Sequence, residues 1–299
     1  MFKGINLKCV KNKKAFNKRY FGTNIGIIGC GNFGKHLIEL LQNKRSEFSN
    51  IYISTRTKIS SDKIVEKFKD YNNIQISTNN TIADICNPIF LTIKPFQIKS
   101  VCEDMKNIIP LNTLIISMGA GVSILNIENW LNPTQPIIRC MPNIPISVKS
   151  GIITYTVSSN INISTESNFL KLMEGPSFVK FSLNDEYKND ISTAVSGCGP
   201  AFFLKIIEYY IDTAIKNGLT ENEAKKLITE TFIGTLKLFN TKSNHNYNNI
   251  IKELIIDVAS KGGATEKGLI AFDNSNIKDS INNIVKSAYD QVKDISKKL

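Results

Sequence analysis

Gly29, Gly31 and Gly34 in the stretch IGIIGCGNFGKH make a G-x-G-x-x-G spacing between an apolar run and an amphipathic one, with Asn32 and Phe33 inside the loop. Where such a loop joins a strand to a helix, the glycines permit a tight turn, let a pyrophosphate approach the backbone and let helix and strand pack closely. A second stretch, VASKGGATEKGL (258–269), sets Gly262 and Gly263 beside Ala264 and Thr265, with Ser260 just ahead, before another segment of helical character. Adjacent glycines let backbone N–H groups converge on one point, and a helix start adds a field that favours an anion. Taken alone, each stretch also reads as a plain turn between two elements. The order strand, loop, helix at the head of a βαβ series favours dinucleotide binding for the first.

The end of the next strand decides which dinucleotide. A fold that binds NAD places Asp or Glu there to hold the ribose 2′-hydroxyl. This chain reads IYISTRTK, offering Ser54, Thr55, Arg56, Thr57 and Lys58 and no acid. Arg56 stands 22 residues past Gly34, and a guanidinium flanked by hydroxyls suits a 2′-phosphate that an acid would repel. NADPH is therefore the expected cofactor, with NADH as the alternative, and a solvated basic turn is the non-functional reading.

Other chemistry is sparse. His36 and His245 are the two histidines, which excludes a His-rich metal centre and leaves a serine-type triad poorly supported. The six cysteines (Cys9, Cys30, Cys86, Cys102, Cys140 and Cys198) show no C-x-x-C spacing. No metal is expected. With no secretory signal, free thiols in a reducing compartment are expected, so the chain is assigned to the cytoplasm.

From about residue 24 to 185 apolar runs alternate with amphipathic stretches. NIGIIGC, NIYIST, PIFLTIK, TLIISMG and PIIRCM read as strands, and HLIELLQNK, KIVEKFKDY and SILNIENWL as helices. That alternation implies parallel β-α-β units in a doubly wound, Rossmann-type α/β sheet covered on both faces. Beyond residue 185 the pattern is helical throughout. Phe203, Ile206, Ile207, Tyr210, Ile211 and Ala214 recur at helical spacing until Asn217-Gly218; Thr220 and Glu223 form a capping box for a helix carrying Leu227, Ile228 and Phe232; Ile277 to Ile295 makes a last amphipathic helix. Helices this apolar in a small unit imply surface buried in a second subunit, core packing alone being the other reading.

The expected organisation is a basic extension (1–23), a dinucleotide-binding domain (24–185) and a helical domain (186–299) that dimerises and binds substrate. A chain of 299 residues accommodates this, and no apolar window reaches membrane-span length. The net charge of +11 suggests a polyanion partner, but seven basic residues and no acid fall in residues 1–24, leaving +4 for the rest. The leader reads first as an extension or misassigned start, with organelle targeting and a weak polyanion-binding arm as alternatives. No nucleic-acid or membrane partner is expected of the remainder.

Four further stretches, FLTIKPFQI, RCMPNIP, VSGCGPAFF and VASKGGATEKGL, follow the glycine loop in an order that resembles the pyrroline-5-carboxylate reductase family over residues 24–299. The last is similar to that family's signature V-T-S-P-G-G-T-T. The resemblance implies reduction of the cyclic imine 1-pyrroline-5-carboxylate to L-proline by NADPH in a homodimer or larger homo-oligomer. By position it implies cofactor contacts from Gly29, Gly31, Asn32, Phe33, Gly34, Ser54, Arg56, Asn79, Ile93, Lys94, Pro95 and Ala120. Met141, Pro142 and Asn143 would form a turn shaping the floor. Ser260, Gly262, Gly263, Ala264 and Thr265, supplied by a partner subunit, would hold the substrate: backbone N–H groups around Gly262 and Gly263 take its carboxylate, and the Thr265 hydroxyl contacts the ring nitrogen as the catalytic polar group. A protonated imine already accepts hydride, so positioning and exclusion of water account for a chain nearly without histidine.

Ala259 and Lys261 depart from the signature, and Cys198 and Phe202 replace the family's serine and tyrosine in VSGCGPAFF. Lys261 reads as a solvent-facing residue and Cys198 as a small packing residue. An insertion around Asn244–Asn249 falls outside the resemblance, and the acid that often precedes the signature is missing near Asn244 and His245. Two rivals follow. One is a related NADP-dependent reductase of another imine or of a β-hydroxyacid, for which Lys205 or Lys225 would have to serve as catalytic lysine. The other is a nucleotide-binding relative with a regulatory rather than catalytic role.

Overall fold

The apolar runs become the inner strands of a sheet because each alternates its residues between two covered faces. The computed structural model describes residues 24–44, 46–242 and 247–299. The leader 1–23, and Asn244 and His245 of the expected insertion, lie outside the described residues. The chain opens with β1 (Asn24–Ile28), α1 (Asn32–Gln42), β2 (Asn50–Ser54), α2 (Lys58–Lys67), β3 (Ile74–Ile76) and α3 (Asn79–Ile85). It continues with β4 (Ile89–Leu91), α4 (Pro95–Met105), β5 (Ile115–Ser117), α5 (Ile124–Trp130) and β6 (Ile137–Pro142). Then come β7 (Ile152–Val157), α6 (Ile163–Leu172) and β8 (Ser177–Lys180).

The eight strands lie in the order β3-β2-β1-β4-β5-β6-β7-β8. Ile25, Ile27, Phe90, Ile116 and Ile138 project into a core under α1, α2 and α6; Ile28, Ile89, Leu91, Ile115 and Ile137 project into a second core under α3, α4 and α5, which holds Trp130. Residues i and i+1 thus serve opposite cores, which is why the strands read as unbroken apolar runs.

The expected strands β1, β2, β4, β5 and β6 pair parallel, and the sheet adds one antiparallel pair beyond them. β6 and β7 pair antiparallel, whereas the other neighbouring strands run parallel. Residues 143–151 between them hold a 3₁₀ turn (Ile144–Val148), too short for a crossover helix, so the chain must double back. The short, partly exposed β3 and β8, the buried β7, and helices α3, α4 and α6 were not among the expected elements.

The helical half comprises α7 (Lys188–Ser192), a π-turn (Thr193–Gly197), α8 (Gly199–Lys216), α9 (Glu221–Thr241), α10 (Tyr247–Val258), α11 (Ala264–Asp273) and α12 (Ile277–Lys297). Helix α8 ends at Asn217, and Gly218 continues at φ +102°, a value L side chains rarely adopt. Thr220 and Glu223 make the reciprocal capping box at the start of α9. Tyr210 meets Phe232 edge-on at 5.9 Å between α8 and α9. Much of the apolar surface of α8 to α11 is nonetheless exposed in the single chain. Helix α12 returns to the sheet: a Cβ on Gly121, in the turn after β5, would sit 3.0 Å from Val292 O and 2.7 Å from Ser296 Oγ. Among the described residues, no helix is long and apolar enough to cross a membrane.

Candidate active site

The C-terminal ends of β1, β2, β4, β5 and β6 open onto one cleft of about 850 Å³. It sits where the strand order reverses between β1 and β4, so the following loops diverge to opposite faces and leave a crevice.

Gly29 leaves β1 at φ +84°, and a side chain there would overlap Ile93, so both conformation and contact require glycine. Gly31 plays another part: a Cβ placed on it meets nothing within 4 Å, which leaves open space before the backbone. Gly34 lets α1 approach the loop, its missing Cβ lying 3.2 Å from Gly29 O. No side chain caps α1, whose first turn, with Asn32 and Phe33, borders the cleft. Cys30 lines the same loop; burial pushes its thiol up to about 12, against the pull of Lys35 and Lys67, so it stays neutral at the cleft.

Arg56, Thr55, Thr57 and Ser60 form the far wall. The Thr57 hydroxyl accepts the Ser60 N–H at 3.2 Å and so starts α2 at the cleft's edge. Ser54 and Asn79 stand behind that wall: the Ser54 hydroxyl donates to Asn79 Oδ1 at 2.5 Å, tying the end of β2 to the start of α3. The near wall comes from Ile93, Lys94, Pro95 and Phe96 after β4, and from Met118, Gly119 and Ala120 after β5. The Lys94 N–H donates to Gln97 Oε1 at 3.2 Å, and Pro95 begins α4 where no N–H partner is needed. Met141 and Pro142 prove to be the last residues of β6 rather than a turn, with Asn143 following; Asn143 Oδ1 accepts the Ile152 N–H at 3.0 Å. Among the described residues, Arg56 and Lys94 are the charged residues of the lining, which holds no carboxylate. An anionic dinucleotide fits such a cleft; the uncapped helix start and the open space at Gly31 suit its pyrophosphate.

Thr193, Gly197 and Cys198 close the lining from the helical half. Sequence reasoning did not single out the first two, because a π-turn carries no hydrophobic period; the glycines of VSGCGP were their sole signal. Phe96, Gln97, Met118 and Gly119 were also missed as individual residues. Cys198, read as a packing residue, proves to face the cleft, and burial raises its thiol above the ordinary range.

Ser260, Gly262, Gly263, Ala264 and Thr265 do not line the cleft of their own chain. They form the turn into α11, with Gly262 at φ +73° and Gly263 as the N-cap. The Gly262 N–H donates to Glu266 Oε2 at 2.7 Å and the Gly263 N–H to Ser260 O at 3.0 Å, so the loop's own carboxylate occupies one of the expected donors. Thr265 is half-buried, while Ser260 and Lys261 are exposed. Lys205 pairs with Glu208 beside the Tyr209 ring, and neither it nor Lys225 lines the cleft. Among the described residues, no group of three or more His, Cys, Asp or Glu is placed to hold a metal.

Strand order, glycine loop and acid-free basic cleft define a Rossmann-type dinucleotide-binding protein with a helical second half. Two family models match: pyrroline-5-carboxylate reductase dimerisation over residues 186–295, and NADP oxidoreductase, coenzyme F420-dependent, over residues 24–121. Pyrroline-5-carboxylate reductase 3 of Xenopus laevis is 27% identical over 92% of this chain and 96% of its own. Pyrroline-5-carboxylate reductase of Pseudomonas aeruginosa is 27% identical over 83% of this chain and 88% of its own. The crystal structure of Plasmodium falciparum pyrroline carboxylate reductase with NADP bound superposes with a TM-score of 0.79 at 26% identity, covering 92% of this chain and 98% of that one. The chain is similar to pyrroline-5-carboxylate reductases over most of its length, and residues 186–295 match the dimerisation model of that family.

Proposed function

We propose that this protein reduces 1-pyrroline-5-carboxylate to L-proline with NADPH, the last step of proline biosynthesis. The observation that carries this reading is the cleft at the β1–β4 reversal, basic and without a carboxylate among the described residues, in a chain similar to these reductases.

The residues divide the work by position. Gly29, Gly31, Asn32, Phe33 and Gly34 hold the pyrophosphate through open backbone at a helix start. Arg56, with Thr55, Thr57 and Ser60, holds the 2′-phosphate, and Ser54 and Asn79 brace that wall from behind. Ile93, Lys94, Pro95 and Ala120 orient the nicotinamide end. When bound, the reduced nicotinamide supplies the hydride. Met141, Pro142, Asn143 and the π-turn form the floor that excludes water from the reacting face.

The substrate's carboxylate requires a separate donor set, assigned to Ser260, Gly262, Gly263 and Ala264. Because this loop lies outside its own chain's cleft, a second copy provides it and the active unit is a homodimer. For Gly262 to receive the substrate, Glu266 must release its N–H. Thr265, in the first turn of α11, meets the ring nitrogen and is the catalytic polar group. A protonated imine needs no histidine acid, which suits a cleft lined by none among the described residues. A β-hydroxyacid reductase would need a lysine in that cleft from the helical half, and Lys205 and Lys225 stand elsewhere.

We divide the chain into a dinucleotide-binding domain (24–185) and a helical dimerisation domain (186–299). Its unpaired described cysteines suit the cytoplasm. The decisive assay follows NADPH absorbance with purified protein, with and without pyrroline-5-carboxylate, and repeats it with NADH. Substrate-dependent oxidation that is faster with NADPH is expected. Binding of NADPH without substrate-dependent oxidation would overturn the reductase reading, and preference for NADH would overturn the role of Arg56.

A further inference from the structure

Arg139 lies on β6, two residues before Met141 of the cleft floor, and is 4% exposed. Its guanidinium spans two acids of the segment that leaves the sheet: Nη1 donates to Glu186 Oε1 at 3.0 Å, and Nη2 to Asp190 Oδ1. Glu186 Oε1 also accepts the Ile124 N–H at 2.8 Å, which fastens the start of α5 to the same point. Beside this cluster the buried Asn189 accepts from the Thr154 hydroxyl at 3.2 Å and donates to Thr156 Oγ1 at 2.9 Å, both on β7. The Thr193 hydroxyl then donates to Asn189 O at 2.8 Å. Helix α7 and the turn before it are thus bound by polar contacts to β6, β7 and α5, and the helix runs directly into the π-turn that supplies Thr193, Gly197 and Cys198 to the cleft.

Stability alone accounts poorly for buried charges at this place, since apolar residues of similar volume commonly serve as well or better. Geometry accounts for them better. A guanidinium is a planar fork with fixed donor directions, so holding acids of two successive turns sets both the spacing and the rotation of α7 against β6. The two elements meet at the cleft: a Cβ on Gly197 would lie 3.5 Å from the Met141 side chain. A slip of α7 would therefore change the height of the floor directly.

We propose that Arg139, Glu186 and Asp190 are positioning residues for the reduction, a buried fork that fixes the helical wall of the cleft against the end of β6. The inference rests on the reductase reading and deepens it. The phosphate-binding loops lie on the other side of the cleft, so the fork governs the reacting end and leaves cofactor affinity alone.

The test compares Arg139→Lys, Glu186→Ala and Glu186→Gln in the full-length assembled protein. For each, kcat and KM for pyrroline-5-carboxylate, NADPH affinity by fluorescence titration, thermal midpoint and the modification rate of Cys198 by a thiol reagent, read on its peptide by mass spectrometry, are measured. Arg139→Lys and Glu186→Ala are expected to lose about a hundredfold in kcat/KM, the scale of a misplacement near 1 Å. Their Cys198 modification accelerates, while NADPH affinity stays within about twofold for contacts this remote from the phosphates. Glu186→Gln keeps an acceptor for both Arg139 and Ile124 and should retain most activity. If Arg139→Lys does not fold, the Glu186 pair carries the comparison. Variants that lose thermal stability while kcat, KM and Cys198 reactivity stay at the wild-type values overturn the proposal. So does an equal loss in Glu186→Gln and Glu186→Ala. A wild-type protein that binds NADPH but reduces no pyrroline-5-carboxylate overturns the functional reading first, and the proposal with it.

Discussion

The sheet half and the helical half draw on similar apolar residues and put them to different use. Between β1 and β8 the large aliphatic side chains close over one another in two cores, with Ile27, Leu41, Phe90 and Phe169 fully buried. In α8 to α12 the buried apolar residues are Ala224, Ile250 and Val292, while Phe203 is 61% exposed, Leu236 60% and Ile256 71%. A sheet with helices on both faces finishes its own burial; long helices packed side by side in one chain leave a whole flank open. Apolar surface left exposed in this way is what an interface buries. The difference teaches that one half folds for itself and the other folds toward a second copy.

Charge placed in each half tests this contrast most severely. Ile27→Asp buries a carboxylate with no partner, a cost on the order of the whole stability of a domain, so no soluble folded protein is expected on expression. Leu236→Asp should instead give a folded, helical chain whose mass by light scattering falls to that of a monomer, with activity lost as the second copy's loop departs. An assembled, active Leu236→Asp protein would show that this flank is not the contact. Within the cleft, Arg56→Glu places an acid where the 2′-phosphate is proposed to bind; fluorescence titration should show NADPH binding about a hundredfold weaker and NADH binding little changed. Thr265→Ala is expected to cost between about tenfold and a hundredfold in kcat/KM at unchanged NADPH affinity. Unchanged turnover and KM would remove Thr265 from the mechanism.

Two smaller effects are confined to the sheet half. Burial pushes the thiols of Cys30, Cys86 and Cys102 up to about 12 from an ordinary 9.0, and raises Cys140 as well. The folded state keeps protons that the unfolded chain releases, so this contribution is complete below pH 9.0 and is lost as the pH rises toward 12. Urea midpoints measured across that range should fall; midpoints that stay flat or rise would contradict the burial of these thiols. Ser123→Ala removes the cap of α5, where the Ser123 hydroxyl accepts the Asn126 N–H at 3.1 Å, and should cost about 1 kcal/mol in denaturant unfolding.

The parts legible in the sequence are those in which one local pattern has one physical cause. Unbroken apolar runs gave β1, β2, β4, β5 and β6, and Gly29, Gly31 and Gly34 gave the tight turn from β1 into α1, because strand, turn and helix there depend on neighbours in the chain. Asn217-Gly218 and the Thr220–Glu223 box likewise marked helix ends by chemistry that acts within a few residues. Strands β3 and β8 were not legible: each is short and partly exposed, so neither carries a long apolar run. The antiparallel turn of β7 follows from the length of a connection rather than from any residue type. The π-turn and the fork at Arg139 were hidden for a related reason, since they join residues far apart in sequence and leave no period. Motif resemblance assigned the loop at Ser260–Thr265 its substrate; its separation from the cleft of its own chain is visible only in three dimensions.

Trp130 is the chain's single tryptophan, and it lies 8% exposed in the second core beneath the sheet. Its emission is therefore a built-in reporter weighted toward the sheet half, whose second core Leu299 of the helical half only borders. Far-ultraviolet ellipticity is weighted the opposite way, toward the long helices α8, α9 and α12. Following both signals through one denaturation separates the two halves without a label. Coincident curves mean a single cooperative unit; an ellipticity change that shifts with protein concentration while the tryptophan signal stays fixed identifies the helical half as the part whose order depends on company.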